Sequence, residues 1–118
     1  MALHHELPIY KRAYDLLGVA TDITRNIPRD FKRQLGDVIR DECVQIVVLI
    51  FRANKARAKV DHIDDLLEHL EVANLLLRLL HDKRMISRAQ YANAIEITAD
   101  VGKQAGGWKK SSVTAPAA

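Results

Sequence analysis

Nine consecutive residues, Cys43 to Phe51, contain a single polar side chain, Gln45. A helix through such a run has no wet face and must be covered on nearly every side. One small bundle rarely supplies that cover alone. The next octet, Arg52-Ala-Asn-Lys-Ala-Arg-Ala-Lys59, carries four cations. An apolar element with cations at its mouth points to an oligomer that meets something anionic, and not to an enzyme. A role confined to the chain's own core is the competing expectation for the apolar run.

At 118 residues the chain is one domain, long enough for a core that removes roughly two-thirds of its unfolded surface from water. Hydrophobic residues at 48% and charged residues at 28% describe a globular chain rather than a disordered one. The lone cysteine, Cys43, excludes an intrachain disulfide and a cysteine metal site, and a buried, reduced thiol is expected. The first residues carry His4, His5 and Glu6 instead of an apolar leader, and no apolar stretch approaches the roughly 20 residues that cross a bilayer. The expectation is a soluble, cytoplasmic protein with no membrane partner.

Helical periodicity dominates the chain. A first helix opens at Pro8, with Ile9, Ala13, Leu16, Leu17, Ala20, Ile23 and Ile27 as its apolar stripe and Pro28 beyond its end. Gly18 weakens that helix by about 1 kcal/mol relative to alanine, so a close helix contact is expected there. A second helix runs from about Pro28–Asp30 to about Lys55. Its primary stripe is Phe31, Leu35, Val38, Ile39, Cys43, Ile46, Ile50 and Ala53. Val44, Val47, Val48 and Phe51 add a second apolar face. A third helix opens at Asp61, with Asp64 and Asp65 where negative charge suits the helix dipole. Ile63, Leu66, Leu67, Leu70, Ala73, Leu77 and Leu80 point inward, and Val72, Leu75, Leu76 and Leu79 widen the stripe beyond what one core requires. The two second faces are the expected oligomer interface. Ser87-Arg88-Ala89-Gln90 has the capping-box pattern for a fourth helix. Tyr91, Ala94, Ile95, Thr98, Val101 and Ala105 form its buried face, Gly106-Gly107 is expected to stop it, and Trp108 to fold over the bundle end.

Four helices with short connections and no strand signal predict an all-α, antiparallel up-down four-helix bundle. The expected division is an N-terminal extension over 1–7, the bundle over 8–108 and a mobile tail over 109–118.

Catalytic chemistry finds little support. His62 and His69 lie near Asp65, but the spacing lacks the i, i+4 pair of helical zinc sites, and no Glu-x-x-His of a di-iron bundle occurs. His81-Asp82 suits the C-terminal dipole of the third helix. No nucleophile elbow, phosphate loop or dinucleotide motif is present. Neither a metal nor another cofactor is expected.

The cations are distributed unevenly. Residues 1–60 hold eleven Lys/Arg against seven Asp/Glu, and residues 61–118 seven against eight, within a net charge of +3. Arg25, Arg29, Lys32 and Arg33 cluster at the first turn; Arg52, Lys55, Arg57 and Lys59 at the second; Lys83, Arg84 and Arg88 at the third. In an antiparallel bundle the first and third turns share one end and the second occupies the other. Each end thus presents a basic patch, the first beside Phe31. Repeated by symmetry, such patches become a phosphate-binding surface whose affinity is set by counterion release. Solvated charge around loops is the plain alternative. Arg78, among Leu75 to Leu80, is expected in an interfacial ion pair or projecting into a central channel.

Several short segments, in their order and spacing, carry a resemblance. These are Leu7-Pro-Ile-Tyr-Lys11, Ile27-Pro-Arg29, Gln34-Leu-Gly36, Ile50-Phe-Arg-Ala-Asn54, Leu75-Leu-Leu-Arg-Leu-Leu80, Gln90-Tyr91 and Gly102-Lys-Gln-Ala-Gly-Gly-Trp108. Together they resemble the accessory variability determinant (Avd) proteins of diversity-generating retroelements over roughly residues 7 to 110. The resemblance implies a four-helix subunit of a barrel-shaped homopentamer that binds the element's reverse transcriptase and its template RNA or DNA. It implies no catalysis. Arg29, Arg52 and Arg78 lie in matching segments and become the leading polyanion contacts. Four-helix proteins encoded in 23S ribosomal RNA intervening sequences share the implied fold, and an oligomeric scaffold of that type is the alternative.

Overall fold

Pro8 has no N–H to leave unpaired and a φ already set for a first helical turn, and α1 (Pro8–Thr24) opens on it. In the computed structural model, which describes residues 3–114 (backbone only at 114), α1 buries Ile9, Ala13, Leu16, Ala20 and Ile23. Thr24 is also buried, and its hydroxyl is satisfied by donating to the Ala20 carbonyl at 2.7 Å. Ahead of α1, a 3₁₀ turn over His4–Glu6 sets the His4 ring edge-on to Phe51, with centroids 4.8 Å apart, and to Tyr10 at 5.1 Å.

The second rod is interrupted. A single turn, α2 (Arg29–Phe31), runs into a π-helical stretch over Lys32–Gly36 and then into α3 (Asp37–Lys55). A π turn holds more residues than an α turn and rotates the residues before it relative to the helix after it. The inward stripe of α3, Ile39, Cys43, Ile46, Leu49, Ile50 and Ala53, therefore does not continue back to Phe31. This corrects the uninterrupted α-helical stripe expected from Phe31 onward. Phe31 and Val38 are exposed, Leu35 is half-buried, and Gly36 is buried in their stead. A Cβ on Gly36 would lie 3.4 Å from Thr24 Cβ, an ordinary van der Waals contact, which shows how closely the second rod packs on the end of α1.

After a short loop, α4 (Val60–Asp82) buries Ile63, Leu66, Leu70, Ala73, Leu77 and Leu80. It ends in a Schellman motif: Met85 N–H donates to the Leu80 carbonyl at 2.8 Å and Arg84 N–H to His81 at 3.0 Å. Arg84 takes the left-handed position with φ 59°, where glycine is the usual occupant. Ser87 and Gln90 then close the expected capping box: Gln90 N–H donates to Ser87 Oγ at 3.0 Å, and Ser87 N–H to Gln90 Oε1 at 2.8 Å. On this cap stands α5 (Arg88–Thr114), which buries Ala94, Ile97, Thr98, Val101 and Ala105.

One glycine expectation is overturned, and a second is met by no helix of the same chain. Gly106-Gly107 does not stop the last helix, which continues to Thr114. Neither glycine has a positive φ, and the helical cost of glycine, about 1 kcal/mol, is too small to end a helix by itself. Trp108 consequently sits within α5, packed against the core. Gly18 is exposed, with nothing within 4 Å of a hypothetical Cβ, so no helix of the same chain approaches it. Of the tail expected over 109–118, residues through 114 are helical; 115–118 lie outside the described residues, as do Met1 and Ala2.

Among the described residues there are four long helices and no strand. α1 and α4 each pack on α3 and α5, placing α1 and α4 at opposite corners of an antiparallel rod measuring 50 × 21 × 20 Å. Arg12 Nε to Asp100 Oδ2, 2.9 Å, ties α1 to α5. No described helix is long and apolar enough to cross a membrane.

Candidate nucleic-acid interface

Up-down connectivity gathers two chain reversals, α1 to α2 and α4 to α5, at one end of the rod. The α3–α4 loop, the start of α1 and the end of α5 lie at the other. The rod is only about 20 Å wide, so the cations of both reversals at the two-loop end share one small surface. They are Arg25, Arg29, Lys32, Arg33, Lys83, Arg84 and Arg88, all exposed, with Asp22, Asp30 and Asp82 as the nearby acids. Arg25 has an exposed contact to Asp22 at 3.5 Å. The other six have no acidic partner among the described residues. Phe31, brought outside by the π segment, lies beside Arg29, Lys32 and Arg33, and an exposed ring among cations is the arrangement on which a nucleobase can stack.

The one-loop end uses its cations differently. Lys59 folds back on α3 and its Nζ donates to the carbonyls of Ala53 (2.9 Å), Asn54 (3.1 Å) and Ala56 (2.8 Å). A helix leaves its last carbonyls without N–H partners, and a lysine ammonium has three hydrogens to give them. Lys59, grouped with the polyanion contacts from sequence, is instead a helix cap. Lys55 lies over the Phe51 ring at 4.9 Å, a cation–π contact. Lys109 pairs with Asp64 at 2.7 Å. Only Arg52 and Arg57 of the second-turn cluster are exposed without a partner among the described residues. Of the two basic patches expected, the two-loop end therefore keeps more of its cations free of partners among the described residues.

Arg78 is exposed on α4, reaching Asp82 of its own helix at 3.7 Å. The expected oligomer-face residues divide. Leu75 is 66% exposed, and Val44 and Phe51 are exposed at 39% and 37%. Val47, Val48, Val72, Leu76 and Leu79 are half-buried, with Val47 and Leu76 leaning on the core.

His69 and His81 are engaged in side-chain contacts. His69 Nδ1 meets Glu42 Oε2 across α3 and α4 at 2.5 Å. His81 stacks on Tyr91, centroids 4.4 Å apart. Among the described residues no group of three or more His, Cys, Asp or Glu is placed to hold a metal ion. Burial, reinforced by the neighbouring Glu42 carboxylate, pushes the Cys43 thiol up to about 12, so at neutral pH it is a protonated core side chain.

A family model described as bAvd-like matches residues 7–112, nearly the whole described chain. No curated protein matches. The chain belongs to the bAvd-like family.

Proposed function

We propose that this bAvd-like chain is a noncatalytic accessory protein of a diversity-generating retroelement. It binds the element's reverse transcriptase and template RNA or DNA, and supports mutagenic retrohoming in the cytoplasm. The observation that carries the reading is the family match together with six unpartnered cations on one end of a narrow rod. The contact is to backbone phosphate: the cations ring loops and helix ends, and no element is shaped to enter a groove and read bases. Self-association multiplies the surface. The exposed apolar strip of α3 and α4 (Val44, Phe51 and Leu75, flanked by Val47, Val48, Val72, Leu76 and Leu79) is the proposed subunit interface of a homopentamer.

The test is affinity for single-stranded RNA and DNA as a function of salt, measured by fluorescence anisotropy. Wild-type protein is expected to show a steep decline of log K with log[salt]. A variant carrying Arg29→Glu, Lys32→Glu, Arg33→Glu and Arg84→Glu is expected to bind weakly, with a slope shallower by about 3, at about 0.7 per phosphate contact removed on a single strand. Binding that these changes leave untouched overturns the assignment of the two-loop end. Absence of binding by an intact wild-type oligomer favours instead a scaffold of the ribosomal intervening-sequence type.

A further inference from the structure

α1 and α4 point the same way from opposite corners of the rod, and each turns a matched strip to solvent. Lys11, Gly18 and Arg25 recur at seven-residue steps, as do Glu68, Leu75 and Asp82. A heptad step drifts by only about 20° around a helix, so each trio lies on one line. Both lines are about 21 Å long at 1.5 Å per residue. All six residues are exposed. Arg25 stands just past the end of α1 and Asp82 is the last residue of α4, both at the two-loop end. Two bundles standing side by side in the same direction therefore bring the strips level.

The chemistry of the strips is complementary at all three levels. Leu75, at 66%, is the most exposed large apolar side chain among the described residues. Gly18 offers no side chain, and it lies in a shallow depression with Tyr14, Leu17, Thr21 and Asp22. Its backbone is not in a positive-φ conformation, so no local geometry calls for glycine. Gly102 differs, because its Cβ would crowd Leu70 Cδ2 at 3.3 Å. Gly106 and Gly107 are as open as Gly18, so the open surround alone does not mark an interface. The knob and the flanking charges do. Lys11 falls opposite Glu68 and Arg25 opposite Asp82, cation on one strip and acid on the other. Arg25 contacts Asp22 at 3.5 Å in its own chain, and Asp82 contacts His81 at 3.4 Å and Arg78 at 3.7 Å, but these are long contacts at an exposed surface, of a kind that exchanges readily.

We propose that α1 of one copy docks on α4 of a second copy, parallel and in register, seating Leu75 over Gly18 between a Lys11–Glu68 and an Arg25–Asp82 pair. The contact is heterologous: each copy offers both strips at once, so association continues until it closes on itself. It rests on the self-association reading above and adds the pairing of faces.

Light scattering on the full chain tests it. Wild-type protein is expected well above the mass of one chain, 13.3 kDa. Gly18→Leu fills the seat; it is expected to drive the mass toward one chain while the helical content persists, since leucine is the better helix former. Lys11→Glu with Arg25→Glu is expected to dissociate the assembly, and adding Glu68→Lys with Asp82→Lys to restore it. An oligomer indifferent to Gly18→Leu, or a charge reversal that the second pair does not rescue, overturns the pairing and leaves self-association standing. A wild-type monomer at micromolar concentration overturns both.

Discussion

The two ends of the rod put their cations to different uses. At the one-loop end Lys59 caps α3, Lys55 sits over Phe51 and Lys109 pairs with Asp64, leaving Arg52 and Arg57. At the two-loop end Arg29, Lys32, Arg33, Lys83, Arg84 and Arg88 have no acidic partner among the described residues. The number of cations is a poor guide to a binding surface; what counts is how many the fold has left unspent. A single reversal exposes a helix C-terminus whose carbonyls recruit lysine. At the α4 end the Schellman motif fills that need with backbone N–H groups, and the side chains of Lys83 and Arg84 stay outside.

The largest expected effect tests that asymmetry directly. Arg52→Glu with Arg57→Glu should flatten the salt dependence of single-stranded RNA binding by no more than about 1.5, against about 3 for the four-residue change at the other end. Equal effects in anisotropy titrations would abolish the distinction between the ends.

Lys59→Met comes next. Methionine keeps the apolar stem but leaves the carbonyls of Ala53, Asn54 and Ala56 to water, and the expected loss is about 1–3 kcal/mol in a urea melt. Nucleic-acid affinity should hold; if it collapses while the fold survives, Lys59 belongs to the binding surface after all.

Ser87→Ala, at the two-loop end, removes the Oγ acceptor for Gln90 N–H and is expected to cost about 1 kcal/mol, read as a lower melting temperature. An unchanged melting curve would show that the cap contributes nothing to holding that end in shape.

The smallest change has the opposite sign. Arg84→Gly relieves a left-handed arginine and should stabilise by about 0.5–1 kcal/mol while weakening RNA binding. A gain in both stability and affinity would remove Arg84 from the interface.

Much of the bundle was legible because helical burial writes a period into the chain. The inward stripes of α1 and α4, the proline that opens α1 and the capping box before α5 all stood where local rules put them. Phe31 was misplaced because a π turn leaves no composition signal, only a shift in phase; Val38, in α3 itself, is exposed one position off the Ile39–Cys43–Ile46 line. The end of α5 was misplaced because two glycines weaken a helix without outweighing the core beneath Val101 and Ala105. In the candidate site, the identity of the cations was readable and their availability was not. Whether a lysine faces water or a carbonyl depends on chain ends that meet only after folding.

By itself the sequence determined the helices, their inward faces, the family pattern and the presence of more apolar surface and more cations than one bundle consumes. Those are local properties, set by periodicity, capping and composition. Which cations the helix ends and rings had taken, and that two loops share one end of a narrow rod, came only from the folded arrangement. Those are relations between residues far apart in the chain, and no local rule fixes them.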